Sequence, residues 1–194
     1  MADFERAFEK TAAIEGGYVF DPDDAGGETY KGISRRFNLF WKGWDRIDEI
    51  KKTGIKKMEL ARNLDQDKGL QEEVLLFYKQ AYWDKFWGDE IWVQEIAEEL
   101  FDTAVNIGVR RAVGFLQQGL NLLNRNRKNY ADIMEDGLFG RNTLKALRAY
   151  LAMDDVANLL KVMNILQGMH YIEYMRKNPA QERYARGWLK RVKL

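Results

Sequence analysis

Cysteine is absent from this chain of 194 residues, and histidine occurs once, as His170. Without cysteine there is no disulfide staple and no thiol nucleophile. With a single histidine, a Ser-His-Asp arrangement has only His170 to use, and a zinc site needs carboxylates in place of its usual His and Cys ligands. Proline is almost missing as well, with two residues in the whole chain, so little interrupts helices. Long apolar runs are also lacking. The best of them is broken by charge, as in Glu72-Glu73-Val74-Leu75-Leu76-Phe77-Tyr78-Lys79, far short of the roughly 20 residues a bilayer span needs. The opening Met1-Ala2-Asp3-Phe4-Glu5-Arg6 has no basic region followed by an apolar one, so no cleaved secretory signal is expected. A chain with this beginning is expected to be made in the cytoplasm and to meet any extracellular target only after release or export. What remains simple to build from such a composition is carboxylate chemistry.

What is present describes a globular chain. Hydrophobic residues make up 46% and charged ones 31%, outside the range of disordered segments and enough for one compact body or two small lobes sharing a core. The formal charge of +1 conceals an uneven spread: residues 1–108 carry 15 basic and 23 acidic side chains, whereas 109–194 carry 16 and 7. A basic half suits an anionic polymer, and it equally suits docking on the acidic half.

Apolar spacings of three, four and seven residues recur along most of the chain, and two-residue alternation is rare, so the fold class is mainly α. A first helix capped by Asp3 runs through Phe4, Ala7, Phe8 and Ala12 to Glu15, where Gly16-Gly17 offers a left-handed termination. Residues 16–34 are rich in Gly and Asp, and the Tyr18-Val19-Phe20 and Thr29-Tyr30-Lys31 runs are placed to pair as a small hairpin. Helical periodicity returns over 70–87 and 93–108, and again at about 110–124, 141–151, 154–177 and 179–189. Asn178 and Pro179 open the last of these.

Glu15 is the residue whose position suggests chemistry. It falls at the end of the apolar stripe of Phe8 and Ala12, at a helix C-terminus, away from Glu5 and Glu9. Apolar neighbours and the negative end of the helix dipole both disfavour its ionised form, so its pKa is expected to rise, as a general acid requires. Cleaving a glycosidic bond needs such an acid together with a second carboxylate that activates water or stabilises the oxocarbenium-like state. Asp21, Asp23, Asp24 and Glu28 all follow closely enough to turn back toward Glu15, and we single out Asp24 and Thr29.

The run Glu15-Gly-Gly-Tyr18, followed by Asp21-Pro-Asp-Asp24-Ala-Gly-Gly-Glu-Thr29-Tyr-Lys-Gly32-Ile-Ser34, resembles the signature of glycoside hydrolase family 108. The likeness continues through Tyr82-Trp83, Phe101-Asp102-Thr-Ala-Val-Asn106-Ile-Gly108 and Gln117. It then enters a segment resembling that family's predicted peptidoglycan-binding region, with Asp136-Gly-Leu-Phe-Gly140-Arg-Asn-Thr143 and a final Gly187-Trp188-Leu-Lys-Arg191. The resemblance implies a lysozyme-like helical fold and N-acetylmuramidase activity on bacterial peptidoglycan. Glu15 would be the acid, Asp24 would position the attacking water with help from Thr29, and no cofactor or metal would be needed. The spacing is also similar to that of phage-type lysozymes, an endolysin-like pattern in which an acid or thiol stands nine residues after the glutamate. Here Asp24 is nine beyond Glu15, and Thr29 is five further, one fewer than in that pattern.

The remaining candidates have plainer readings beside them. Asp102 and Asn106 fall on one helix face with Glu95, Glu98 and Glu99, which periodicity alone makes a solvated stripe; the family likeness makes Asn106 a cleft residue. Aromatic residues at helical spacing are usually core, and Tyr30, beside the proposed acids, is the one expected to stack on a sugar. His170, among apolar neighbours, is expected to be packed rather than catalytic. The loop from Asp136 to Thr143 reads as a glycine turn before a helix capped by Asn142 or Thr143, and Arg110-Arg111 and Arg183 to Arg191 read as solvated faces that could also hold stem-peptide carboxylates or other wall anions by charge-assisted hydrogen bonds. Asp21-x-Asp23-x-Ala25 lacks the ligands of a calcium loop.

The expected organisation is a catalytic lobe over 1–111 and a helical, peptidoglycan-binding lobe over 112–194 packed on it, acting as a monomer without nucleic acid. Two other activities fit the same residues: a lytic transglycosylase, for which Asp24 would be dispensable, and a non-catalytic module for wall docking or secretion.

Overall fold

Asp3 opens the first helix. Its Oδ1 accepts the backbone N–H of Arg6 at 3.1 Å, and α1 follows over Phe4–Ala12. The computed structural model describes residues 1–12, 17–20 and 27–193, the side chains at 12, 57 and 58 excepted. By the density of their internal packing these fall into two units, one of residues 8–81 and one of residues 1–7 with 82–194, the boundary lying within α1.

In the unit of residues 8–81, strands β1 (Tyr18–Phe20), β2 (Glu28–Tyr30) and β3 (Ile33–Ser34) form an antiparallel sheet in that order. Tyr18 lies opposite Tyr30, Val19 opposite Thr29 and Phe20 opposite Glu28, so the hairpin expected from the sequence is present. The β2–β3 connection has Lys31 at φ 42° and Gly32 at φ 77°, the pair of positive φ values a two-residue hairpin turn requires. Glycine supplies the second without steric cost. Lys31 is held in the first by its ammonium, which donates to Gln71 at 2.6 Å, and by its carbonyl, which accepts from Tyr78 Oη at 2.8 Å.

Three helices follow: α2 (Gly43–Lys52), α3 (Lys57–Gln66) and α4 (Lys68–Ala81). The first two lie in a stretch for which periodicity predicts no helix. They form because Trp44 and Ile47, three apart, and Leu60 and Leu64, four apart, all become buried. Asp67 then caps α4 through the backbone N–H of Leu70 at 2.7 Å while its two oxygens receive the Arg46 guanidinium at 2.8 and 2.9 Å.

In the unit of residues 1–7 and 82–194 the regular elements among the described residues are all helical. Two 3-10 turns, Trp83–Phe86 and Gly88–Glu90, precede α5 (Gln94–Ile107), α6 (Val109–Leu122), α7 (Arg141–Leu151) and α8 (Val156–Lys177). A 3-10 turn, Pro179–Tyr184, and a short α9 (Ala185–Leu189) complete it. Its core includes an edge-to-face cluster in which Phe4 meets Trp83 at 5.5 Å and Phe101 at 5.7 Å between ring centroids. The indole N–H of the fully buried Trp83 donates to Asp89 at 2.7 Å.

The loop between α6 and α7 carries the Asp136–Thr143 signature, and Gln117 on α6 accounts for it. This buried amide donates to Asp136 Oδ1, the Leu138 carbonyl and Thr143 Oγ1 at 3.0, 3.1 and 3.2 Å, and accepts the N–H of Gly137 at 2.8 Å. Gly137 sits at φ 70°, and a Cβ there would stand 2.4 Å from the Arg110 carbonyl oxygen. The cap expected at Asn142 or Thr143 is not formed: Gly140 occupies the N-cap position of α7, and Thr143 bonds inward to Gln117.

Candidate functional site

Glu15 and Asp24, and with them Asp21 and Asp23, lie outside the described residues. The hairpin beside them is described. Side chains alternate along β2, so Glu28 and Tyr30 are buried while Thr29 between them is half-exposed on the opposite face.

Glu28, one of the loop carboxylates weighed as a partner for Glu15, is occupied structurally. It accepts from Tyr18 Oη at 2.8 Å and Arg35 Nη1 at 2.7 Å, and pairs with the Lys51 ammonium. Arg35 reaches on to Asp48 at 2.5 Å. A buried carboxylate tied to two cations and a phenol anchors the sheet to α2, a structural role.

Tyr30 differs from the sequence expectation. It is 0% exposed, and its hydroxyl donates to Asp65 at 3.0 Å and accepts from Gln71 Nε2 at 2.9 Å. Burial is the first cause of the rise of its phenol above the ordinary value. A ring with no open face offers no sugar platform; Tyr30 instead ties β2 to α3 and α4.

The stripe on α5 also differs. Glu98 and Glu99 are buried, not solvated. Glu98 pairs with Arg6 at 3.2 Å. Glu99 accepts from Thr103 Oγ1 at 3.2 Å, and burial followed by repulsion from Asp102 pushes its carboxyl up to about 7. Asp102 is itself raised, chiefly by burial, against the lowering effect of Arg191. Arg191, read from the sequence as part of a solvated face, is buried with its Nη1 at 2.5 Å from Asp102 Oδ1. Asp102 thereby ties Arg191 to α5.

Asn106, one turn further along α5, reaches a pocket. Its Oδ1 accepts from Tyr171 Oη at 2.8 Å, and the two residues line a cavity of about 430 Å³ with Ile107, Gly108, Arg111, His170, Tyr174, Gln181 and Trp188. His170 is packed as expected, with its ring stacked on Tyr174 at 6.2 Å and 21°. Burial, then the nearby Arg111, lowers its pKa, so the ring is neutral at neutral pH.

The model of the glycosyl hydrolase 108 family matches residues 8–108. The chain belongs to glycosyl hydrolase family 108. A second model, "Predicted Peptidoglycan domain", matches residues 111–193 of this family 108 glycoside hydrolase and supports peptidoglycan as its polymer. No curated protein matches the chain. Among solved structures the chain is similar to SagA of Brucella abortus, with a TM-score of 0.61 and 23% identity over 97% of this chain and 88% of that one. At that identity the likeness speaks for the fold, a mainly α, lysozyme-like architecture with a small early sheet.

The two matches divide the hydrolase at the α5–α6 junction, where Gly108 alone separates the helices, whereas internal packing divides it near residues 7 and 81. The residues that sequence reasoning missed are Glu99 and Tyr171, and with them the burial of Arg191. Only burial distinguishes these three, and charge pattern alone assigns Glu99 and Arg191 to solvent.

Proposed function

We propose that this enzyme is an N-acetylmuramidase, hydrolysing the alternating N-acetylglucosamine and N-acetylmuramic acid strand of bacterial peptidoglycan. Membership of glycosyl hydrolase family 108 over residues 8–108 is the observation that carries the reading. Glu15 protonates the leaving glycosidic oxygen as the bond to the anomeric carbon breaks. Asp24 orients the water that adds to that carbon, and Thr29 assists it. Thr29 suits this role in being the half-exposed residue of β2, its neighbours Glu28 and Tyr30 being buried. Asn106 contributes a substrate contact from the end of α5. Residues 1–111 do the cleaving and 112–194 hold the wall polymer, the enzyme acting as a monomer after release or export.

End-group analysis of the products tests this. Purified peptidoglycan digested by the wild-type enzyme and analysed by mass spectrometry should yield fragments with reducing muramic-acid ends. Anhydro-muramic ends would instead identify a transglycosylase, in which a hydroxyl of the sugar replaces water. Binding without release would leave a wall-docking module.

A further inference from the structure

The pocket at the C-terminal end of α5 combines three kinds of recognition group in the unit of residues 1–7 and 82–194. The first is aromatic surface. Tyr171 and Trp188 stack at 5.4 Å with 17° between ring planes, and the half-buried Trp188 and the 42%-exposed Tyr174 both line the cavity. The rings are thus held by one another and do not have to be ordered by a ligand, which keeps the entropic cost of binding low. The second is amide chemistry, from Asn106 and Gln181. Tyr171 Oη engages Asn106 Oδ1, which leaves the Asn106 Nδ2 donor without a protein partner among the described residues. The third is charge. Arg111 is exposed and spends one donor on the Ile107 carbonyl at 2.9 Å. It makes no ion pair among the described residues, unlike Arg191 and Arg35, whose charges are committed to Asp102 and to Glu28 and Asp48.

A cavity of about 430 Å³ with apolar ring faces, amide donors and one uncommitted cation is of the size that holds a small ligand. The ligand that matches all three has a flat ring face bearing C–H groups, an acetamido substituent and a carboxylate. Resting on the proposal that peptidoglycan is the substrate, we infer that this pocket is a subsite for an N-acetylmuramyl unit freed of its stem peptide, with its ring on Tyr174 and Trp188, its acetamido group at Asn106 and its lactyl carboxylate on Arg111. In intact wall that carboxyl is amide-linked to the stem peptide, so the site selects glycan from which the stem peptide has been cut, and a polymer of N-acetylglucosamine alone leaves Arg111 unused.

The test uses the full-length Glu15→Gln protein, so that nothing is cleaved, and two soluble probes: the N-acetylglucosaminyl-N-acetylmuramic acid disaccharide and N,N′-diacetylchitobiose, which lacks the carboxylate. Chemical shifts of the indole N–H signals, with Trp188→Phe to assign the relevant one, report occupancy. The muramyl disaccharide should shift the Trp188 signal and bind more tightly than chitobiose. Arg111→Ala should weaken the muramyl disaccharide about tenfold or more while leaving chitobiose unchanged, and Tyr174→Ala should weaken both. Arg111→Lys, which keeps charge but not the planar fork, should fall between. The inference is overturned if the muramyl disaccharide leaves the Trp188 signal unmoved, or if Arg111→Ala weakens both sugars equally. Failure of the pocket alone shows as wild-type digestion of peptidoglycan with no response at Trp188. Failure of the peptidoglycan reading shows as neither digestion nor binding.

Discussion

Arg191, three residues from the end of the chain, places its Nη1 2.5 Å from Asp102 Oδ1 in the middle of α5, with side-chain exposures of 6% and 19%. The contact spans 89 positions of sequence. Burying a guanidinium is tolerated only because a carboxylate meets it, and the same carboxylate, with burial, favours the protonated form of the neighbouring Glu99.

Removing the arginine should therefore strand Asp102 next to Glu99. Arg191→Ala is expected to lower stability by about 3 to 5 kcal/mol, measured by urea denaturation, because an unpaired buried charge remains. Adding Asp102→Asn should recover part of that loss; equal stability of the single and double variants would contradict the pairing.

Glu99 gives stability a pH dependence of definite sign. Its carboxyl has an ordinary value of 4.5 and is pushed up to about 7 in the fold, so between these values the folded state keeps a proton that the unfolded state has released. The stabilisation is full below about pH 4.5 and is lost as pH rises through 7, a change on the order of 3 kcal/mol. Unfolding free energies of wild type and Glu99→Gln compared from pH 4.5 to 8 should show a decline that the variant lacks. Parallel profiles would remove Glu99 as the source.

Gly137 is expected to tolerate no side chain. At φ 70°, with the Arg110 carbonyl oxygen 2.4 Å from where a Cβ would stand, Gly137→Ala should cost about 2 kcal/mol or more and lower the melting temperature by about 5 °C. The loss should appear as release of the Asp136–Thr143 loop from Gln117, visible as faster amide exchange at Gly137.

Tyr30→Phe separates the two roles weighed for that residue. Deleting a hydroxyl held by Asp65 and Gln71 should cost roughly 1 to 2 kcal/mol of stability and leave KM for peptidoglycan unchanged. A raised KM with undiminished stability would restore the stacking role.

Much of the architecture was legible because long amphipathic helices announce themselves. The spacings over 93–108, 110–124 and 154–177 correspond to α5, α6 and α8 within two residues at each end. The hairpin was legible from Tyr18, Thr29 and Gly32. What escaped were α2 and α3, whose buried faces rest on Trp44, Ile47, Leu60 and Leu64 amid many charges. The paired charges escaped too, since Asp102 and Arg191 look like surface residues until it is known that the two meet across 89 positions. Of the candidate site, the signature around Gln117 and Gly137 proved to be explained by packing, and Asn106 reached a pocket through a tyrosine that no local pattern links to it.

The proposed mechanism rests on Glu15 as the proton donor. The most direct measurement is the rate at which wild type and Glu15→Gln release soluble fragments from purified peptidoglycan, with matched folding verified by circular dichroism. Glu15→Gln is expected to lose about 100-fold to 10,000-fold in rate, with reducing muramic-acid ends from the wild type. A Glu15→Gln protein that still releases the same fragments within a few-fold of the wild-type rate would contradict it.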